Sequence, residues 1–433
     1  MALNQSESIK SGQFESQLLA DTPMPLSVKP VVPNYPILGK LVGPKDARLL
    51  RVLHVYKLFS PVRGGGIAAM ESIIRGLKGR VSASVLVATK VGLGGQDQKC
   101  GAKVRRVMSL GYIKSMPAAP TLPFWYAVMS RQVDLIHVHL PFPIADLAMN
   151  LWRPQAPVVV HWHSDIVQQV WTKRLLRPFL RRSLKRANKI IVGSPRHIES
   201  SKELQPFKDK CVVVPYGIDI DKWSVADSAV KSEVNALRKK HPRMVLFLGR
   251  LVAYKGLPVL LRAMKEVDGS LVIAGEGPME SVLLRLAGTL GVENKVTFTG
   301  ALSFQELKAH YHACSVFVLP SIWRNEAFGL AQIEAMACRK PVVNTDLPTG
   351  VPWVARDGIE GITVAPNSAR ELAQAIQKLL DTPDLAKKLG DAGFDRVSTK
   401  FNQTITSEKL YSVYRNLVKQ PTSSMRTKER LAE

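Results

Sequence analysis

The chain has 433 residues, 46% of them hydrophobic and 22% charged, which predicts two or three domains with substantial cores and excludes wholesale disorder. No apolar run approaches the roughly 18 residues that span a bilayer, and Met1–Ala20 is polar, without the apolar stretch of a signal peptide. The 60 Lys and Arg against 35 Asp and Glu leave a net charge of +25, which points to an anionic partner: nucleic acid, anionic lipid or a charged substrate. Cys100, Cys211, Cys314 and Cys338 lie far apart, with no CxxC pair and no metal-ligand spacing, as expected of reduced thiols in the cytosol.

Residues 1–45 are rich in Ser, Pro and Gln and read as a flexible extension. Residues 46–222 then alternate strands and helices. Arg51–Tyr56 is a buried strand, Gly64, Gly65 and Gly66 form a loop, and Ile67–Leu77 is a helix. Val81–Ala88, Asp134–His139, Val158–His163, Lys189–Gly193 and Val212–Tyr216 are further strands. Residues 223–243 read as a polar linker. A second α/β unit occupies 244–400, starting with the strand Met244–Leu248 and the helix Gly256–Val267. Its later strands are Ser270–Ala274, Lys295–Thr299, Ser315–Leu319 and Pro341–Asn344. Its later helices are Phe304–Ala313, Gly329–Cys338, Ala369–Leu380 and Pro383–Ser398. An amphipathic helix within 401–419 is expected to pack back on the first domain, and 420–433 reads as a flexible tail. The fold class is therefore α/β, with two Rossmann-like domains whose strand ends face a cleft.

The charge excess is uneven. Residues 46–222 carry 28 basic and 11 acidic groups, a net +17, whereas 223–433 carry only +7. The densest stretch, Thr172–Lys189, holds eight cations and no acid. At helical spacing its apolar residues take one half of the circle and most cations the other, with Pro178 expected in the first turn. An ordinary surface helix and a helix docked on anionic lipid both fit this pattern. Nucleic acid fits poorly, because no aromatic residues interleave with the cations and no binding motif appears.

Two groups of residues can carry chemistry. Gly249-Arg250 with Lys255-Gly256 follows a strand, so both cations can reach one diphosphate, although a solvated surface pair would look the same. The loop and helix Glu326-Ala-Phe-Gly-Leu-Ala-Gln-Ile-Glu334 offer free helix N–H groups near Gly329 and Leu330, a ready anion site. Glu326 can accept sugar hydroxyls and Glu334 a ribose diol. His161-Trp162-His163-Ser164-Asp165 ends a strand, while His137 and His139 sit inside an apolar one and read as structural.

Glu326 and Glu334 match the E-x7-E motif, and the chain resembles the retaining glycosyltransferases of family 4, which have the two-domain GT-B fold. Ala274-Gly275-Glu276-Gly277-Pro278, Val214-Pro215-Tyr216-Gly217-Ile218-Asp219 and Pro341-Val342-Val343 agree with it, and the resemblance covers about residues 50–420. Asn344–Val354 resembles the branch of bacterial mannosyl- and rhamnosyltransferases that build surface polysaccharides.

The resemblance implies that Arg250 and Lys255 neutralise the donor diphosphate, helped by the backbone N–H groups of Gly329 and Leu330, with Phe328 also binding substrate. It implies Glu326 on the donor sugar, Glu334 on the ribose, Phe298 near the base, and Gly277 lining the nucleotide site. Gly64, Gly65 and Gly66 would let the first domain approach phosphate and acceptor, and His163 would be the active-site histidine near the donor sugar.

The implied activity is transfer of a hexose, mannose or rhamnose, from a GDP-sugar to a lipid-linked or polysaccharide acceptor, with retention. The partners are the nucleotide-sugar donor, a glycan or polyprenyl-linked acceptor and an anionic membrane surface at 172–189. The expected location is cytoplasmic, on the inner face of the membrane, and no nucleic acid is expected. Asp219-Ile220-Asp221 spells a D-x-D metal motif of a different fold, but it falls in the interdomain connector, so no metal or other cofactor is expected. An NDP-sugar epimerase or hydrolase on the same fold, or a basic nucleic-acid-binding protein, are the other readings.

Overall fold

Runs of Val, Ile and Leu that are apolar on both faces belong in parallel sheets covered by helices on both sides, and two such sheets form. The structure is a computed structural model that describes residues 48–62, 64–113, 116–165 and 170–419, with side chains from 176 onward in the last stretch. The expected extension at 1–45 and tail at 420–433 lie outside the described residues. Before residue 214 the strands are β1 (Leu50–Val55), β2 (Val81–Ala88), β3 (Gly95–Lys99), β4 (Ala102–Val107), β5 (Tyr112–Ile113), β6 (Met116–Pro117), β7 (Leu135–Leu140), β8 (Val158–Trp162), β9 (Lys189–Val192) and β10 (Cys211–Val213). After it come β11 (Met244–Leu248), β12 (Ser270–Ala274), β13 (Val296–Gly300), β14 (Val316–Leu319), β15 (Val342–Thr345) and β16 (Gly361–Val364).

The first large sheet runs β10-β9-β8-β7-β1-β2-β4-β3, and the second β13-β12-β11-β14-β15-β16. In both, the chain winds out from a central strand, first to one side and then to the other. The order reverses between β1 and β7 and between β11 and β14, and a ligand crevice opens outside the carboxyl ends at such a point.

β3 is antiparallel to β4, and the sequence reading missed this hairpin. Its strand Gly-Gln-Asp-Gln-Lys is polar and exposed, so no hydrophobic period marks it. The turn is made by Cys100 and Gly101, both at positive φ, as a two-residue hairpin turn requires.

Residues 223–243 are not a polar connector. They hold the helix Ser228–Lys240, capped by the Asp227 carboxylate, which accepts from Val230 N–H. Val230 and Val234 pack with Met244 and Tyr311 in the core of the second unit. Only two residues of the helix are buried, and the cations around them disguise the pattern. Pro178 also differs from expectation: the helix is Val170–Arg186, and Pro178 stands inside it rather than in its first turn.

The last helix, Gln403–Lys419, crosses back to the first sheet. Leu410 and Tyr414 are buried against Val52, Leu135, Val159 and Ile191, and the Tyr414 hydroxyl lies 2.5 Å from His137 Nδ1. The two segments that connect the domains touch where Ile218 N–H donates to Phe401 O (2.8 Å) and Gln403 N–H to Ile218 O (2.9 Å).

Leu410→Ala should destabilise the protein by about 2–5 kcal/mol, the cost of a core cavity. Tyr414→Phe should cost about 1–3 kcal/mol by leaving a buried imidazole nitrogen without its partner. Urea denaturation midpoints of both variants measure this.

Candidate active site

The loops after β11 and β14 are locked together at the carboxyl edge of the second sheet. A Cβ on Gly256 would overlap the Pro320 carbonyl, and Ile322 N–H donates to Tyr254 O at 2.8 Å. This brings Lys255 Nζ to 2.5 Å from Glu326 Oε2, and Ser321 Oγ donates to the same carboxylate oxygen at 3.1 Å. Burial pulls the Lys255 pKa down, but Glu326 outweighs it and the net shift is upward. Arg250 is exposed beside them, and its charge acts on Lys255.

Glu334 stands on the helix Leu330–Ala337, whose N-cap Gly329 has φ +75°. There a side chain would strike Leu319 and Gln332, so glycine is required for the helix to start at this spot. Tyr311 Oη donates to Glu334 Oε2 at 2.8 Å. Burial pushes the Glu334 carboxyl up to about 7, with Tyr311 and Lys255 pulling against it. Glu334, Leu330 and Phe304 line one part of a cavity of about 440 Å³, and Ala68, Ser72 and Gly217 line another.

From the first domain, Gly64 caps the helix Gly65–Gly76. A Cβ on Gly65 would sit 3.8 Å from Leu330 Cδ1, and one on Gly66 would overlap the Tyr56 hydroxyl. Gly66 is thus needed for Tyr56 to approach, a reason the expected phosphate contact did not contain. Gly277 likewise abuts the Leu251 backbone. Phe298 lies on β13, half-buried against the core of the second sheet.

Two expected site residues have their side chains engaged inside the protein. The Phe328 ring is buried and packs edge-on against Tyr216, with ring centroids 4.9 Å apart, and against Phe401. His163 keeps its place after β8, but both its ring nitrogens are engaged inside the protein. Nδ1 lies 2.7 Å from Tyr216 Oη and Nε2 lies 2.9 Å from His139 Nδ1. His139 Nε2 continues the chain to His54 Nδ1 at 3.2 Å. Burial lowers the pKa of all five clustered histidines, His54 and His161 to about 3, so they are neutral at neutral pH. A neutral ring has one donor and one acceptor, so the chain His54–His139–His163–Tyr216 must run with a single polarity. Nitrogens of His54, His137 and His139, and of His139, His161 and His163, lie within 4.8 Å of one another, close enough to share a cation, though the imidazole–imidazole bonds already use several of them.

Asp165, three residues past β8, joins the two Rossmann-like domains. It accepts from Trp162 Nε1 at 3.1 Å, Ser201 Oγ at 2.6 Å and Arg324 at 3.2 Å, and Arg324 also donates to Ser200 O. No periodicity could have revealed a pair 159 positions apart. Asp219 of the D-x-D string pairs with Lys222 at 2.8 Å, and Asp221 is exposed.

Comparison with known proteins places these features in a family. The profile "Glycosyl transferases group 1" matches residues 231–396, and "Glycosyl transferase 4-like domain" matches 64–217. The chain is 30% identical over 377 residues to the O-antigen chain mannosyltransferase C of Escherichia coli, covering 85% of this chain and 98% of that protein. It is 32% identical over 262 residues to the D-rhamnosyltransferase WbpZ of Pseudomonas aeruginosa, covering 60% and 68%. Among solved structures, sucrose-phosphate synthase from Thermosynechococcus elongatus has a TM-score of 0.73 at 21% identity, covering 85% of this chain and 99% of that one.

The raised Glu334 pKa has a sign that can be measured. The folded state holds this proton up to about pH 7, whereas the ordinary value is 4.5. The contribution to stability is therefore full below about pH 4.5 and is lost as pH rises to about 7. Glu334→Gln, neutral throughout, should show a shallower fall in urea midpoint between pH 5 and 8 than the parent protein.

Proposed function

This chain belongs to the group 1 glycosyl transferases and has the GT-B fold, and from that premise we propose that it moves mannose or rhamnose from a GDP-sugar to a lipid-linked or polysaccharide acceptor in surface-glycan synthesis, with retention of configuration. The sugar choice is supported by the names of the two relatives above. The observation that carries the chemistry is the Arg250, Lys255 and Glu326 cluster beside the free N–H end of the helix Leu330–Ala337.

Breaking the bond from anomeric carbon to phosphate oxygen leaves its electron pair on the nucleoside diphosphate and an oxocarbenium-like sugar. Arg250, Lys255 and the helix N-terminus stabilise that leaving group where charge develops. The acceptor hydroxyl attacks from the face the phosphate is leaving, and its proton passes to the departing phosphate oxygen. Glu326 orients the sugar hydroxyls and Glu334 the ribose. Closure of the two domains holds the acceptor in line and keeps water out. The reaction runs without a divalent ion in this reading, since the diphosphate meets fixed cations instead.

The acceptor is held at an anionic membrane on the inner face of the cell. Support comes from a patch of the first domain where Phe124, Leu147, Leu151 and Phe179 are exposed on three neighbouring helices. Arg153, Arg181, Arg182 and Lys185 are exposed around them, while Leu180 and Leu184 of the basic helix are buried in the core. Apolar side chains rimmed by cations suit an interface of anionic headgroups. Among the described residues, no helix is long and apolar enough to cross a membrane.

A donor screen with purified protein tests the reaction: nucleoside diphosphate should be released from GDP-mannose or GDP-rhamnose only when a lipid-linked acceptor is present, and release without acceptor would favour a hydrolase. Turnover should survive EDTA; loss that Mg²⁺ or Mn²⁺ restores would overturn the metal-free reading. Lys255→Ala should lower turnover by orders of magnitude with the fold intact. Sedimentation should occur with phosphatidylglycerol vesicles and not with phosphatidylcholine ones, and Arg181→Glu with Arg182→Glu should abolish it.

A further inference from the structure

Lys57 lies two residues past the end of β1, the central strand of the first sheet, and its carbonyl accepts from Ala88 N–H at 3.2 Å. It therefore stands at the switch point of that sheet, on the ligand side. Among the described residues its ammonium has no hydrogen bond and no ion pair. It rests over the ring of Tyr56, 5.7 Å from the centroid. That ring lies 5.4 Å from the ring of His163, and its hydroxyl lies against Gly66. Burial, and after it the Arg250 guanidinium across the crevice, lower the Lys57 pKa, and among the described residues no acid pairs with Lys57.

Two cations on opposite sides of a cleft, Lys57 half-buried and Arg250 exposed, repel when no acid among the described residues lies between them. Among the described residues nothing compensates that repulsion, and a bound dianion would. Lys255 supplies less than its formal charge here, because Glu326 lies 2.5 Å away. Among the described residues, Arg250 and Lys57 are then the cations at this crevice without an ion pair. We propose that Lys57 is a third diphosphate-binding cation, supplied by the opposite domain, and that it takes the distal phosphate, the one bonded to the sugar. The distal assignment follows from position: Glu334 is on the second domain, whereas Lys57 adjoins His163 and the glycine turn of the first. The proposal rests on the nucleotide-sugar reading above. It adds that the leaving group is gripped from both domains, so its departure removes the charge that offsets the Lys57–Arg250 repulsion.

The test is calorimetric titration of the full chain with GDP, UDP and GMP, using the parent protein, Lys57→Met, Lys57→Arg and Lys255→Met. Lys57→Met should weaken nucleoside diphosphate binding by about 10- to 100-fold, the range of one charge-assisted hydrogen bond. GMP, which lacks the distal phosphate, should lose less than about threefold, and Lys57→Arg should retain most of the affinity. Unchanged diphosphate affinity in Lys57→Met, with Lys255→Met clearly weakened, would overturn the role of Lys57 while leaving the nucleotide site standing. So would equal losses for GDP and GMP, or a rise confined to the acceptor KM. If the parent protein bound neither GDP nor UDP, the nucleotide-sugar reading itself would fall, and this inference with it. Thermal melting of Lys57→Met within about 2 °C of the parent separates a binding effect from unfolding.

Discussion

A buried ammonium held 2.5 Å from a buried carboxylate, Lys255 against Glu326, sets the terms for the rest of the molecule. Such a pair does not stabilise by itself, since both ions give up their hydration. It persists because the two loops that carry it are fixed independently. Gly256 lets one loop press on Pro320, and Thr345 Oγ1 holds the other by donating to Ser321 O at 2.6 Å. The scaffold of β11, β14 and β15 thus keeps two opposite charges at one edge, one suited to phosphate and the other to sugar hydroxyls. Preorganisation of this kind is how charge developing on a leaving group can be met without rearrangement.

The first domain answers with a column of rings rather than with charges. His137, His139, His161 and His163 stack across β7 and β8, with centroids 4.4–5.4 Å apart, and Tyr216 extends the stack. Tyr216 then meets Phe328 edge-on, one residue before Gly329 at the start of the helix carrying Glu334. A continuous line of packed rings therefore runs from the core of one domain to the start of the helix Leu330–Ala337 in the other. Burial keeps the imidazoles neutral, so the column orients neighbours and transmits position without adding charge to a crevice already rich in cations.

Much of the fold was legible because parallel strands buried on both faces leave uninterrupted apolar runs, and these do not depend on distant residues. Met244–Leu248, Ser270–Ala274 and Phe304–Ala313 coincide with the elements formed. What escaped had no such local mark. β3 is polar because it lies at a sheet edge. The helix Ser228–Lys240 buries only Val230 and Val234. Pro178 belongs to a helix that begins earlier than its apolar pattern suggests. At the site, Arg250, Lys255, Glu326 and Glu334 were legible through their spacing and resemblance. Asp165 and Arg324 were not, since each acquires meaning only from its partner on the other domain, and Lys57 was not, since only folding sets it across the crevice from Arg250.

The net charge of +25 shows the same division. By itself the sequence determined that most of the excess lies between residues 46 and 222, that the fold is two α/β units, and that a pair of cations with diphosphate-like spacing sits in the second. These are sums and periods, properties of neighbours along the chain. Only the tertiary structure decided which cations are spent. Arg177 is paired with Glu203 and Arg186 is turned onto the Met149 carbonyl, whereas Arg181, Arg182 and Lys185 remain exposed beside apolar side chains, and Lys57 lies across the crevice from Arg250 with no acid among the described residues between them. A charge acts through distance and dielectric, and both are set by folding.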